Sequence, residues 1–283
     1  MAFFKTSILM FSIICLFVFS GYIIAGEEGM LISLIFGILS NVFAYWYSDK
    51  VVLAIYKAKR VHQGNFPELF QMISELTVNA NLTMPAIYVV DDEFPNAFAT
   101  GRDPSNAAIA VTRGLMKRLT ENELKGVLAH ELAHIINRDI LIATVSAVFA
   151  AAISSLASFA LIFGSRGGNK QANPIVIFVL ALITPLAATV IQMAISRSRE
   201  YEADRIGALL TKDPLSLASA LNKIDCISKA ESFTTVQQHP ETAQMMIVSP
   251  LLAKGLSNLF STHPPTPERI SRLRRMTSDI RDR

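Results

Sequence analysis

Four stretches without a single charged residue restrict what this chain can fold into: residues 7–25, 29–48, 140–164 and 174–196. Each is about 20 residues or longer, enough for an α-helix to cross ~30 Å of hydrocarbon. One such run could be a buried core helix, but four in 283 residues are too many for a core of that size. Composition agrees, with only 17% charged residues against roughly 25% in soluble domains. The expectation is four transmembrane helices arranged as two hairpins. Tyr45, Trp46 and Tyr47 close the second run and suit an interfacial aromatic belt. The first run also has features of a secretory signal, with Lys5 ahead of it and small residues near Ala25. Its apolar stretch exceeds the usual length of about 7–15 residues, and the second run begins almost at once, so an uncleaved hairpin is expected.

Lys5 precedes the first run; Lys50, Lys57, Lys59 and Arg60 follow the second; Arg197 and Arg199 follow the fourth. Positive loops stay in the cytoplasm. Both termini and the two long polar segments are therefore expected there. Arg166 and Lys170, between the third and fourth runs, weigh weakly the other way. The organisation expected is a membrane hairpin at 1–48, a polar part at 49–139, a second hairpin at 140–196 and a second polar part at 197–283. A net charge of +3 and the lack of a long basic block exclude a nucleic-acid partner. Cys15 and Cys226 form no CxxC pair and predict neither a disulfide nor a thiolate metal site. The spans contain no ionisable residue, which argues against a transporter.

In the polar part, residues 66–80 repeat apolar side chains at helical spacing (Leu69, Phe70, Ile73, Leu76). "AIYVV" (86–90) and "AAIAVT" (107–112) read as strands, with "NAFATG" (96–101) as a short third between Pro95 and Gly101. Thr120 and Glu123 form a capping box that starts a helix. The fold class expected is α+β and mostly helical: a cytoplasmic domain with a small β-sheet, carried on four membrane spans.

The helix begun at Thr120 carries "HELAH". His130 and His134, four apart, lie about 40° apart around the axis and ~6 Å along it, so both imidazoles can converge on one ion. Glu131 is adjacent, placed to take a proton from a water rather than to ligate. Two neutral nitrogen ligands and a carboxylate base are what a zinc hydrolase requires. Such a centre needs a third protein ligand. "SRSREYEADRIGA" (196–208) offers Glu200, Glu202 and Asp204. Glu200 and Asp204 share a helix face, whereas Glu202 lies about 200° from Glu200. Antiparallel third and fourth spans would bring His134 and Glu200 out on the same side of the bilayer.

"STHPPTPERISRL" (261–273) predicts an extended approach through Pro264 and Pro265, then a helix capped by Thr266 with Pro267 in its first turn. Arg269 is unfavourable in that turn and needs an anion beside it. His263 and Arg269 are candidates to stabilise an oxyanion. His62 and His239 have no partner pattern and read as ordinary polar residues.

Taken together, "HELAH" followed by "NRD", "SRSREYEAD", "MMIVSPL" (245–251) and "STHPPTPERI" resemble the HtpX membrane zinc metallopeptidases, relatives of the CAAX prenyl proteases among the gluzincins. The resemblance covers nearly the whole chain. It implies a zincin-like domain, one Zn²⁺ per subunit held by His130, His134 and Glu200, and Glu131 as catalytic base. It also implies Asp204, and Asp139 of "NRD", as residues that steady the ligands, with His263 and Arg269 assisting the transition state. Asn96, Ala97, Phe98 and Ala99 would form an edge strand that pairs with an extended substrate, Asn96 helping to orient it. The function implied is hydrolysis of misfolded or damaged membrane proteins in segments facing the cytoplasm, and the location implied is the cell inner (cytoplasmic) membrane. The bilayer and these substrates are the partners, and a homo-oligomer is compatible. A CAAX-type processing protease and a catalytically silent zinc-binding scaffold are the alternatives. Four spans leave little room for the chamber the first needs, and a scaffold has no use for Glu131.

Overall fold

The computed structural model describes residues 2–149, 197–230, 246–247 and 264–281. The chain opens with α1 (Ala2–Ile55), whose helical geometry breaks at Ala25 and Gly26. Gly26 takes φ 62° and ψ −142°, a conformation that suits a residue without Cβ. The two arms fold back on each other. The Asn41 side chain donates to the Met10 carbonyl at 2.9 Å, and Phe17 meets Phe36 edge-on at 5.2 Å. At the tight end, a Cβ on Gly21 would lie within 2.3 Å of the Gly29 carbonyl, so glycine is required for this approach.

Among the described residues, Ala25–Ile55 is the one unbroken helix long and apolar enough to cross a membrane. The apolar part of the first arm, Thr6–Phe19, is shorter. Four spans are thus not established. The third run is described only to Phe149, and 174–196 lies outside the described residues.

After α1 come β1 (Lys59–Arg60), α2 (Pro67–Asn79), β2 (Ala86–Val90), β3 (Ala97–Gly101), a 3-10 turn (Pro104–Asn106), β4 (Ala107–Thr112), α3 (Arg113–Arg118) and α4 (Glu121–Ile136). A bend of 89° leads into α5 (Ile140–Phe149). Then follow α6 (Arg197–Thr211), α7 (Pro214–Ala230) and α8 (Thr266–Arg281). The sheet has the order β1-β2-β4-β3, with β2 parallel to β4 and both outer pairings antiparallel. β1, only two residues long, was not legible in the sequence.

The strands alternate between two apolar layers. Ile87, Val89, Ala97, Ala99, Ile109 and Val111 face a core shared with α2, α4 and α7. Val90, Phe98, Ala108 and Ala110 face Val52, Leu53 and Tyr56 from the end of α1, joined by Ala147 of α5. The sheet is therefore clamped between the helical body and the root of the hairpin.

α4 starts at the predicted capping box: Glu123 N–H donates to the Thr120 hydroxyl, and the Glu123 carboxylate accepts from Thr120 N–H. α8 differs from expectation at its start. It includes Thr266, whose hydroxyl donates to Asp225 of α7 at 3.2 Å.

Candidate active site

α4 is buried on most of its circumference, and His130, Glu131 and the neighbouring alanines are inside. Close approach to α6 depends on Gly207. A Cβ there would lie 3.0 Å from the backbone nitrogen of His130. The contact brings the first turn of α6, with Glu200, against the HELAH turn. His130 and His134 bring their Nε2 atoms to 3.3 Å. Glu200 sets Oε1 3.6 Å from His134 Nε2 and Oε2 3.7 Å from His130 Nε2. One donor atom from each of the three lies within 4.8 Å of the others. Two imidazole nitrogens and a carboxylate oxygen converging this closely suit a borderline cation such as a first-row divalent metal.

The electrostatics point the same way. Burial pushes the His134 imidazole toward the neutral form, but Asp139, Glu200 and Glu131 outweigh it and hold its pKa at about 9. A spot that retains a proton this strongly favours positive charge. His130 is pushed down, first by burial and then by the Arg269 charge, against the pull of Asp204. Glu131 is only 5% exposed, and burial raises its pKa to about 7. Its Oε2 accepts the Ala99 N–H of β3 at 2.9 Å, which pins the carboxylate to the sheet edge.

Behind the histidines lies a chain of charge. Asp204 Oδ1 is 3.0 Å from His130 Nδ1. Arg269 grips the same carboxylate with two bonds, Nε to Oδ2 at 2.8 Å and Nη2 to Oδ1 at 2.7 Å. Burial disfavours the Asp204 anion, but Arg269 holds its pKa at about 2. This is the anion that the first turn of α8 lacked. Arg269, expected to supply charge to an oxyanion, is 1% exposed and directs its remaining fork, Nη1, to the Ile247 carbonyl at 2.8 Å. His263 lies outside the described residues. Asp139 stands 3.6 Å from His134 Nδ1 and 3.3 Å from Arg199 Nη1. The helix end makes this possible: Arg138 takes φ 57°, and Asp139 N–H returns to the His134 carbonyl.

The expected substrate strand is β3, at the sheet edge. Asn96 accepts from Thr112 N–H at its carbonyl, and Ala99 turns its N–H to Glu131. By the alternation of an antiparallel ladder, Ala97 and Ala99 present their main chain outward, whereas Phe98 pairs inward. All five strand residues are buried. The Asn96 side chain accepts from Ile247 N–H at 3.2 Å. Ile247 thus joins Asn96 to Arg269, a link that "MMIVSPL" did not reveal because it runs through backbone atoms. Thr112 was also missed: its hydroxyl donates to the Phe94 carbonyl at 2.7 Å and accepts from Asn96 N–H at 2.9 Å.

A carboxylate held beside a cation-favouring triad, yet tied to a strand edge, is equipped to activate water next to an extended peptide. That combination defines a metallopeptidase. The model of peptidase family M48 matches residues 63–277. "Protease HtpX homolog" of Burkholderia mallei (strain SAVP1) is 52% identical over 270 residues, covering 95% of both chains. A protein of the same description from Burkholderia thailandensis (strain ATCC 700388 / DSM 13276 / CCUG 48851 / CIP 106301 / E264) is 52% identical over 273 residues, 96% of both. A solved chain, "Crystal Structure of S. mikatae Ste24p", is 22% identical with a TM-score of 0.49; the match covers 95% of this chain and 64% of that one. The chain belongs to peptidase family M48.

Proposed function

We propose that this peptidase is a zinc-dependent endopeptidase of the cytoplasmic membrane that cuts misfolded or damaged membrane proteins at the cytoplasmic face. The observation that carries the reading is the convergence of His130, His134 and Glu200 beside a Glu131 anchored to an edge strand. These three residues would hold the ion. When bound, zinc supplies Lewis acidity, polarising a peptide carbonyl and acidifying a water. Glu131 takes the proton from the attacking water and delivers it to the leaving amine. Asp204 fixes the Nδ1 side of His130, leaving Nε2 for the metal, and Arg269 acts through Asp204 as a positioning residue. The outward main chain of β3 aligns the peptide by strand addition, which tolerates many sequences, as quality control demands. Lys and Arg flanking the apolar runs support the cytoplasmic orientation.

The test uses the full chain in detergent with an unfolded protein as substrate. A chelator abolishes cleavage and added zinc restores it. Glu131→Gln keeps about one zinc per chain and loses about 10²–10⁴-fold in rate. Cleavage by this variant at the parental rate sinks the base assignment. Glu200→Ala lowers zinc content; unchanged stoichiometry by atomic absorption moves the third ligand elsewhere. Many scattered cleavage sites by mass spectrometry fit quality control, whereas one C-terminal site means processing.

A further inference from the structure

The hairpin does more than anchor. Exposed large apolar side chains run along its second arm from Met30 to Trp46, 50% exposed, and Tyr47, 46% exposed, and then cease. Ser48, Asp49 and Lys50 follow. The lipid-facing band therefore ends at this aromatic pair, where the headgroup layer begins. At that level a cavity of about 600 Å³ opens between the arm and the β1-β2-β4 end of the sheet. Its walls carry the cations Lys50, Arg60 and Arg102 against a single carboxylate, Asp49, with the Tyr88 ring alongside.

The cations are arranged rather than scattered. Arg102 lies over the Trp46 ring, its guanidinium carbon 4.6 Å from the centroid, while Lys50 sits 5.0 Å over Tyr47. Asp103 pairs its Oδ2 with Arg102 Nε at 3.4 Å and accepts the amides of Ser105 and Asn106 at Oδ1. Arg60 enters from β1, whose pairing with Tyr88 fixes it at the rim. A polar, basic cavity beside interfacial aromatics has the chemistry to take a phosphodiester, with two guanidinium forks for its oxygens. The cavity lies by β1, across the sheet from β3 and Glu131.

We infer that this cavity binds the headgroup of an anionic phospholipid, held by Arg60, Arg102 and Lys50 with Trp46 at the acyl boundary. The inference rests on the membrane reading of α1. Trp46 is the chain's single tryptophan, so its emission reports the site directly.

In the experiment, dioleoyl phosphatidylglycerol is titrated into the full-length protein in nonionic detergent. Trp46 emission is expected to change saturably, whereas phosphatidylcholine and millimolar inorganic phosphate give no plateau. Arg60→Gln and Arg102→Gln should each raise the half-saturating lipid concentration about fivefold, while Lys59→Gln, outside the cavity, leaves it unchanged. Midpoints rather than amplitudes are compared, because Arg102→Gln also alters the ring's surroundings. Thermal unfolding verifies each variant's fold, and Lys50→Gln replaces either arginine variant if one is unstable. A response without a plateau, an equal response to phosphatidylcholine, or an equal effect of Lys59→Gln overturns the site. Inorganic phosphate producing the same plateau overturns the lipid as its source. Alkaline extraction of membranes is run in parallel. Release of the chain overturns the membrane reading itself, whereas retention without saturable binding overturns the lipid site alone.

Discussion

Arg269 is the residue whose surroundings most change its reading. An unpaired cation in the first turn of a helix opposes the dipole, and a buried one also loses hydration. Both penalties are offset by the two-bond grip on Asp204 and by the Ile247 carbonyl. Removing the cation strands a buried carboxylate against His130. Arg269→Met is predicted to cost about 3–5 kcal/mol in stability, read by thermal unfolding. It should also weaken zinc retention about 10–100-fold in a chelator competition, because His130 loses its support. Asp204→Asn with Arg269→Met should recover part of the stability and none of the zinc affinity. Recovery of both would mean that the pair does not orient the histidine.

At the scale of elements, α4 is held at its start as firmly as at its catalytic turn. The Glu123 carboxylate closes the capping box and also accepts from Ser219 and Lys223 of α7, both at 2.7 Å. Burial raises its pKa, but Lys223, Ser219 and Thr120 outweigh burial and bring it to about 2. The folded pKa lies below the ordinary value of 4.5, so this stabilisation is complete above about 4.5. It is lost as pH falls toward about 2. Glu123→Gln should lower stability at neutral pH by about 1–2 kcal/mol. It should also flatten the acid limb of stability between those two pH values, measured by denaturant unfolding at a series of pH. An acid limb as steep as the parent's would assign the loss to other carboxylates.

Across the whole molecule, the hairpin and the peptidase body are joined through the sheet. Tyr56 packs its ring 4.7 Å from that of Phe98, which sits between Ala97 and Ala99, the two β3 residues whose main chain points outward. The hairpin root is therefore packed directly on the strand that holds Glu131. Tyr56→Ala is predicted to cost about 3–5 kcal/mol and to reduce kcat of casein cleavage in detergent. Leu39→Ala, on the exposed face of the arm at 61%, should change neither. If both variants behave alike, the hairpin is an anchor without mechanical contact to the site.

The local features were readable from sequence because local chemistry dictates them. Short apolar runs mark 86–90 and 107–112, the capping box begins α4, and the i, i+4 spacing aligns His130 with His134 whatever the rest of the fold does. The charge-free run 29–48 likewise predicted a helix and lies inside Ala25–Ile55, although the sequence did not show that the helix continues past Asp49 and Lys50. Choices among distant partners could not be read. Helix spacing set Glu202 apart but left Glu200 and Asp204 on one face, and the resemblance alone divided their roles; the 3.0 Å approach at Gly207 sets α6 against α4, with Glu200 at the histidines and Asp204 behind His130. The fork of Arg269, the backbone link through Ile247 and the two-residue β1 depend on contacts between segments far apart in the chain. No periodicity encodes such contacts, since they exist only once the helices have packed.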